Sequence, residues 1–407
     1  MSNPQMTLLI TVTGRDRPGV TSRLFSALAS HDLSVIDVEQ VVIRGRLVLG
    51  VLLSCDAAPD LTAIHRQVTT LAAELGLDAE ITAGSAEPAQ RRGSLHVTVL
   101  GSMLTPAAIA GIAGRIAASG ANIDRITRLA HRPVTCIEFD ISGADPAWLR
   151  TALASESAQR GVDVAVQRGG LHRRAMRLVV MDVDSTLITG EGIDLLAARA
   201  GCAAKAAEIT AAAMRGELDF ESALRERVAL LAGLDAAVID EVRAELRLAP
   251  GARTLIRTLR RLGYKCGIVS GGFTQFTDVL AADLGLDFAA ANTLDIDGGR
   301  LTGLLAGPVI DRAGKARALR EFAAASGVPL SQTIAVGDGA NDLDMIAAAG
   351  LGIAFNAKPA VRDAADASLN VPYLDAVLHL LGISRDEVEA ADAEDAEVHG
   401  ALFPGAS

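Results

Sequence analysis

The stretch "VVMDVDST", residues 179–186, decides the fold of the second half of this chain. Apolar residues run into two aspartates spaced by one valine, and two hydroxyl residues follow. Val179 and Val180 read as a strand buried on both faces. Side chains two apart on a strand share a face, so Asp182 and Asp184 would crowd where desolvating carboxylates is costly. Either this is a polar strand end or a cation belongs there. Outward from this strand, a long, mostly helical insertion covers 192–249. Short apolar strands then alternate with helices: "KCGIVS", "TIAVGD" and "LGIAFN" are strands, and "ANTLDIDGGRLTGLL" is a hairpin turning at Asp297–Gly299. That alternation predicts a doubly wound, mostly parallel sheet.

In such sheets ligands bind beyond the carboxyl ends of the strands. The first strand ends in Asp182-Val183-Asp184-Ser185-Thr186. The second ends in Ser270-Gly271-Gly272, and a third in Gly337-Asp338-Gly339-Ala340-Asn341-Asp342. Lys315 opens a helix close enough to reach the same rim. Uncompensated carboxylates repel and raise one another's pKa values. Mg²⁺ resolves this, because it takes oxygen ligands and is held by one or two carboxylates together with substrate phosphate. Ser270, Lys315 and the backbone N–H groups of Gly271-Gly272 suit a phosphate.

The front of the chain reads β-α-β-β-α-β over residues 6–84, and the same order repeats from Ser94. The repeat offset is about 88 residues, which points to an internal duplication. "AGSAEPAQRRGS" (83–94) reads as a linker between the copies, and "GGLHRR" (169–174) as a second linker. The predicted domains are 1–84, 93–169, 175–383 with a helical insertion over about 190–249, and an acidic tail, 384–407, expected to be a solvated or disordered extension.

A net charge of −11 argues against nucleic acid as a partner. No run reaches the ~18 apolar residues of a membrane span, and the N-terminus lacks a secretory signal pattern. A cytoplasmic protein with no membrane partner is expected. Cys55, Cys136, Cys202 and Cys266 are widely spaced and read as small core hydrophobes.

The segment from 177 to 383 resembles the haloacid dehalogenase superfamily of phosphoryl-transfer enzymes in the four motifs taken together. That resemblance implies that Asp182 is the nucleophile forming an aspartyl-phosphate, and Asp184 the general acid and then base. It implies that Ser270 and Lys315 hold the phosphoryl group. Asp338 would ligate Mg²⁺ with the carboxylate of Asp182 and the backbone carbonyl of Asp184, with Asp342 in support. The P-type ATPase branch has threonine where this chain has Asp184, which favours a hydrolase. The short helical insertion is similar to the cap of the phosphoserine phosphatases. By that similarity Glu191 would recognise the ammonium of O-phospho-L-serine and Arg227 its carboxylate. Met214 and Phe220 would line the lid, and Gly271 and Asn341 would help hold substrate and phosphate. The product would be L-serine, in the last step of its biosynthesis.

"TGRDRPGV" (13–20) resembles the ligand loop of ACT domains, βαββαβ modules that often bind amino acids between paired copies. Gly14, Asp16 and Gly19 are the candidate effector residues there. The second copy lacks Asp-Arg-Pro-Gly, and Asn122 is its candidate contribution. The resemblance implies feedback by L-serine and a homodimer formed through the ACT region. Two other readings stay open at this point: a phosphotransferase of the same scaffold using another acceptor alcohol, and an amino-acid sensor whose catalytic half is vestigial.

Overall fold

The computed structural model describes residues 6–55, 60–85, 95–215 and 217–402. The chain divides into two compact units, 1–90 and 91–407.

In the first unit, β1 (Met6–Arg15), β2 (Ser34–Ile43), β3 (Arg46–Cys55) and β4 (Leu77–Ser85) form an antiparallel sheet in the order β2-β3-β1-β4. Alternate residues Leu8, Ile10 and Val12 meet Leu47, Leu49, Val51 and Leu53 on one face. Helices Val20–Leu28 and Leu61–Leu75 cover that face through Leu24, Leu28, Ile64 and Val68. The second helix starts where the Asp60 carboxylate accepts the Ala63 N–H. Gly14 is needed because a Cβ there would lie 2.5 Å from Leu77 Cδ2. At the sheet edge every residue of β2 is exposed.

The second unit begins with the same motif. β5 (Leu95–Gly101), β6 (Asn122–Ala130), β7 (Thr135–Ser142) and β8 (Asp163–Arg168) pair in the order β6-β7-β5-β8. Helices Pro106–Ala118 and Pro146–Arg160 lie on one face. Each has proline in its first turn behind a capping Thr105 or Asp145. The other face of this sheet is also buried. Leu100, Leu129, Cys136 and Ala165 share a core with Val179, Met181, Leu374 and Leu378 of the domain that follows.

That domain is built on seven strands: β9 (Leu178–Met181), β10 (Lys265–Phe273), β11 (Phe288–Asp297), β12 (Arg300–Ala306), β13 (Thr333–Gly337), β14 (Leu351–Phe355) and β15 (Ala367–Leu369). Their order is β12-β11-β10-β9-β13-β14-β15, parallel except for β12. The chain leaves β9 into the cap and returns on β10 at one side, while β13 pairs on the other. The order therefore sets the carboxyl ends of β9, β10 and β13 next to one another, the switch point expected of such a sheet. The cap contains helices Gly192–Arg199, Ala203–Met214, Phe220–Ala229 and Ala237–Glu245. It is tied at its base by a bridge between Ile188 and Leu248.

Two expectations are corrected. Residues 385–402 form a helix rather than a disordered extension. The physical reason is charge: Arg257 pairs with Asp392, Arg261 with Asp392 and Asp395, and Arg132 and Arg385 with Glu389. Residues 403–407 lie outside the described residues. The second linker is not a free tether either, since it ends in a helical turn, Leu171–Arg174, whose Arg173 is buried. Cys55, Cys136 and Cys266 are buried and Cys202 is half-buried.

Candidate active site

Four side chains meet beyond the ends of β9 and β13. The Lys315 ammonium lies 2.6 Å from Asp182 Oδ1 and 2.7 Å from Asp342 Oδ1. All three residues are buried, Lys315 and Asp342 completely. Burial works to lower the Lys315 pKa, but the two carboxylates outweigh it and the ammonium is held above its ordinary value. Burial, then the charge of Asp342, holds Asp182 well above the usual carboxylate range despite Lys315. Asp338 is pushed up to about 6 by burial and by Asp342. Carboxylate oxygens of Asp182, Asp338 and Asp342 lie within 4.8 Å of one another. Two buried carboxylates and a half-buried one against one lysine leave excess negative charge in a small volume, the condition a hard cation relieves.

Asp184 faces away from this cluster. Its Oδ1 accepts the Gly192 N–H at 3.0 Å, and its Oδ2 accepts the Ser270 hydroxyl at 3.0 Å. The separation follows from the backbone. Ser185 is left-handed at φ 59°, a conformation that costs a non-glycine residue on the order of 1 kcal/mol. The kink ends the strand and lets Thr186 fold back, where its hydroxyl donates to Asp338 Oδ1 at 3.0 Å. Thr186 is fully buried. The sequence reading gave it no role; its position after the paired aspartates was the available signal.

Ser270, Gly271 and Gly272 end β10 beneath Asp184. The Gly272 N–H donates to Ser270 Oγ at 2.7 Å. A Cβ on Gly272 would lie 2.9 Å from both Asp184 Oδ2 and Ser270 Oγ, and one on Gly271 would lie 2.8 Å from Phe220 Cζ. The cap phenyl ring thus rests on the glycine loop. Above it, Arg227 Nη1 stands 3.7 Å from Glu191 Oε2. Burial, then Asp194 and Asp184, raise the Glu191 pKa, with Arg227 opposing. The Arg227 Nε is buried without a hydrogen-bond partner. Asn341 lies on the turn Ala340–Asp342, its amide oxygen folded over Gly339. Met214 closes helix Ala203–Met214, and its side chain lies outside the described residues.

The ACT-loop candidates belong to both units. Gly19 precedes helix Val20–Leu28 in a left-handed conformation, and the Asp16 N–H donates to the Gly45 carbonyl. Asn122 lies in the second unit, where its Nδ2 donates to Asp124. The structure brings Asp182, Asp338, Asp342 and Lys315 into one cluster. It sets Asp184, Ser270, Gly271 and Phe220 beside them, with Glu191 and Arg227 as a pair in the cap.

A doubly wound sheet with this rim of carboxylates, lysine and a Ser-Gly-Gly loop under a helical cap defines a haloacid dehalogenase-like hydrolase. The model of that family matches residues 179–347, and ACT-domain models match 6–82 and 94–167. The chain is 62% identical over 387 residues to a phosphoserine phosphatase of Streptomyces coelicolor, covering 95% of this chain and 94% of that one. It is 55% identical over 406 residues to a phosphoserine phosphatase of Mycobacterium tuberculosis, covering 98% and 99%. The unliganded "probable phosphoserine phosphatase" of Vibrio cholerae superposes with a TM-score of 0.57 at 33% identity, over 75% of this chain and 91% of that one. This chain belongs to the phosphoserine phosphatase family of haloacid dehalogenase-like hydrolases, with two ACT domains ahead of the catalytic domain. Among the described residues, no helix is long and apolar enough to cross a membrane.

Proposed function

We propose that this protein hydrolyses O-phospho-L-serine to L-serine and phosphate through an aspartyl-phosphate on Asp182, with Mg²⁺ as its metal. The observation that carries the substrate assignment is the half-buried Glu191–Arg227 pair in the cap, one anion and one cation above the phosphate rim. A free amino acid offers the complementary ammonium and carboxylate, and the buried, unpartnered Arg227 Nε is a donor in waiting.

Asp182 Oδ1 carries the bonds from Lys315 and from the Val183 N–H, at 2.6 and 2.7 Å. Oδ2 is left as the oxygen that attacks phosphorus. As the ester bond breaks, Asp184 gives its proton to the departing serine Oγ, then takes one from the water that attacks the aspartyl-phosphate. Ser270 and the Gly271-Gly272 N–H groups hold the phosphoryl oxygens, and Lys315 offsets the charge of Asp182 and Asp342. The all-oxygen donor set of Asp182 and Asp338, with Asp342 behind them, fits Mg²⁺, which when bound neutralises charge on the transferring phosphoryl group. Phe220 on Gly271 closes the cap and excludes bulk water.

Phosphate release from O-phospho-L-serine, with and without Mg²⁺, tests this reading. Turnover that depends on the metal and exceeds that of p-nitrophenyl phosphate in kcat/KM is expected. Preference for the phosphate lacking an amino-acid head would sink the substrate assignment.

The ACT domains support two further parts of the proposal. L-serine binding there lowers turnover, so serine added to the full chain should inhibit partly non-competitively, and Asp16→Ala should leave only the competitive component. Val35, Ile36, Val41, Val42 and Ile43 on the edge strand β2 are each at least 45% exposed, which suits pairing with a second copy. Sedimentation should give a homodimer, and Val41→Lys should shift it toward monomer.

A further inference from the structure

Strand β10 does not stay in register with β11. Val269 pairs with Ala290 and Phe273 with Asn292, so β10 spends four steps where β11 spends two. Ser270, Gly271 and Gly272 stand where β11 has only Ala291, and they bulge toward the active site. A bulge leaves backbone groups without ladder partners, and a buried carbonyl left alone is costly. Here the Gly271 carbonyl accepts from Asn292 Nδ2 at 2.8 Å. The same side chain, only 2% exposed, accepts the Ile310 N–H on its Oδ1 at 2.7 Å. Ile310 precedes Asp311, which caps the helix Arg312–Ala325 by accepting the Gly314 N–H. Lys315 follows one residue later.

We infer that Asn292 is a positioning residue for phosphoryl transfer: its amide fixes the orientation of the Gly271–Gly272 peptide and couples it to the helix that carries Lys315. The C=O and N–H of a trans peptide point in opposite directions. With the Gly271 carbonyl turned into the protein toward Asn292, the Gly272 N–H is turned out, to the side of Ser270 Oγ and Asp184. The amide serves both ends. The Gly271 carbonyl needs a donor and the Ile310 N–H needs an acceptor, and a carboxylate would meet the carbonyl with a lone pair. Asn292 touches no reacting atom, and it was not among the residues singled out from the sequence. The inference rests on the proposed phosphatase reading, in which the Gly272 N–H faces the phosphoryl group.

The test uses the full chain with Mg²⁺ and two variants, Asn292→Leu, neutral and of similar size, and Asn292→Asp, which keeps the acceptor and loses the donor. Competitive inhibition constants are measured for inorganic phosphate and for L-serine, together with kcat, KM and the circular dichroism melt. Both variants should lose about 10²-fold in kcat/KM, the scale of one misdirected oxyanion donor. Phosphate should inhibit at least about tenfold more weakly, while the competitive constant for L-serine stays within about twofold, because its recognition lies in the cap. Agreement between the neutral and the charged variant excludes charge as the cause. Wild-type phosphate inhibition in either folded variant overturns the inference, as does an equal loss for phosphate and serine. If neither variant folds, Asn292 is a core residue and the inference is likewise overturned. A wild-type chain inactive on phosphoserine refutes the phosphatase reading instead, so the two failures are distinguishable.

Discussion

At the scale of single residues, the two aspartates of the opening motif part company. Asp182 is buried against Lys315, and Asp184 turns to Ser270 and the Gly192 N–H. Asp182→Asn should therefore remove turnover by more than about 10³-fold, as loss of a nucleophile does. The fold should survive, because the amide oxygen can still accept from Lys315 and the Val183 N–H. Phosphate release and a thermal melt check both halves of that expectation, and residual activity within tenfold of wild type would refute the nucleophile assignment. Glu191 and Arg227 separate binding from chemistry. Glu191→Gln and Arg227→Lys should each raise KM for phosphoserine by about 10- to 100-fold, the value of one charge-assisted contact. Turnover of p-nitrophenyl phosphate, which has no ammonium or carboxylate, should change by less than about threefold. Equal losses on both substrates would place these residues in the general structure of the cap.

At the scale of elements, much of this was legible in the sequence, and the reasons are physical. The period-2 and period-3.6 patterns gave both βαββαβ repeats and the alternating sheet, because each element buries one face or stripe. The ends of β9, β10 and β13 were readable because polar residues and glycines interrupt apolar strands there. Asn292 was not readable, since an amide within "AANTLDID" carries no periodic signal and acts through a bulge that only the pairing register reveals. Thr186 was silent for a like reason: its partner Asp338 lies 152 residues away. The acidic tail misled because its carboxylates answer arginines on a distant helix, Ala252–Arg261. Cap closure is an element-scale property with its own test. Gly271→Ala places a methyl 2.8 Å from Phe220 Cζ and should hold the cap off the phosphate loop, lowering kcat/KM. Phe220→Ala should also lower it. In the double variant the Gly271→Ala loss should shrink by at least about 0.5 kcal/mol, because the two share one contact. Strict additivity in kcat/KM would show that the ring does not close on Gly271.

At the scale of the whole molecule, the second ACT domain is part of the catalytic unit's core. Its sheet face shares one apolar cluster with the large domain, and Asp163 accepts both the Asn370 N–H and Nδ2 at 2.6 Å. Arg173 closes the junction: Nη2 lies 2.5 Å from Glu138 Oε2 and 3.0 Å from the His379 carbonyl, and Nε donates to the Leu380 carbonyl at 2.9 Å. A fragment starting near residue 175 would expose that face, so serine inhibition is best compared in the full chain. The junction also carries a pH dependence. Burial lowers the His379 pKa from its ordinary 6.5, against the Ile383 carbonyl and Asp375 and helped by Arg385. At this site the unfolded chain therefore binds the proton more readily than the native one below pH 6.5. The contribution of His379 is full above that value and is lost as pH falls below it, so His379→Gln should remove that part of the pH dependence of urea midpoints and leave the opposite part set by the raised Asp182 and Asp338. Arg173 matters more to the junction than this histidine does. Arg173→Met leaves Glu138 buried without its guanidinium and takes a donor from the Leu380 and His379 carbonyls, so it should destabilise the second unit by about 3–5 kcal/mol. Adding Glu138→Gln removes the stranded charge and should recover part of that loss. Urea unfolding followed at Trp148, the single tryptophan and a residue of the second ACT domain, reads both. An unchanged midpoint in Arg173→Met would mean that apolar packing alone holds this domain to the catalytic one.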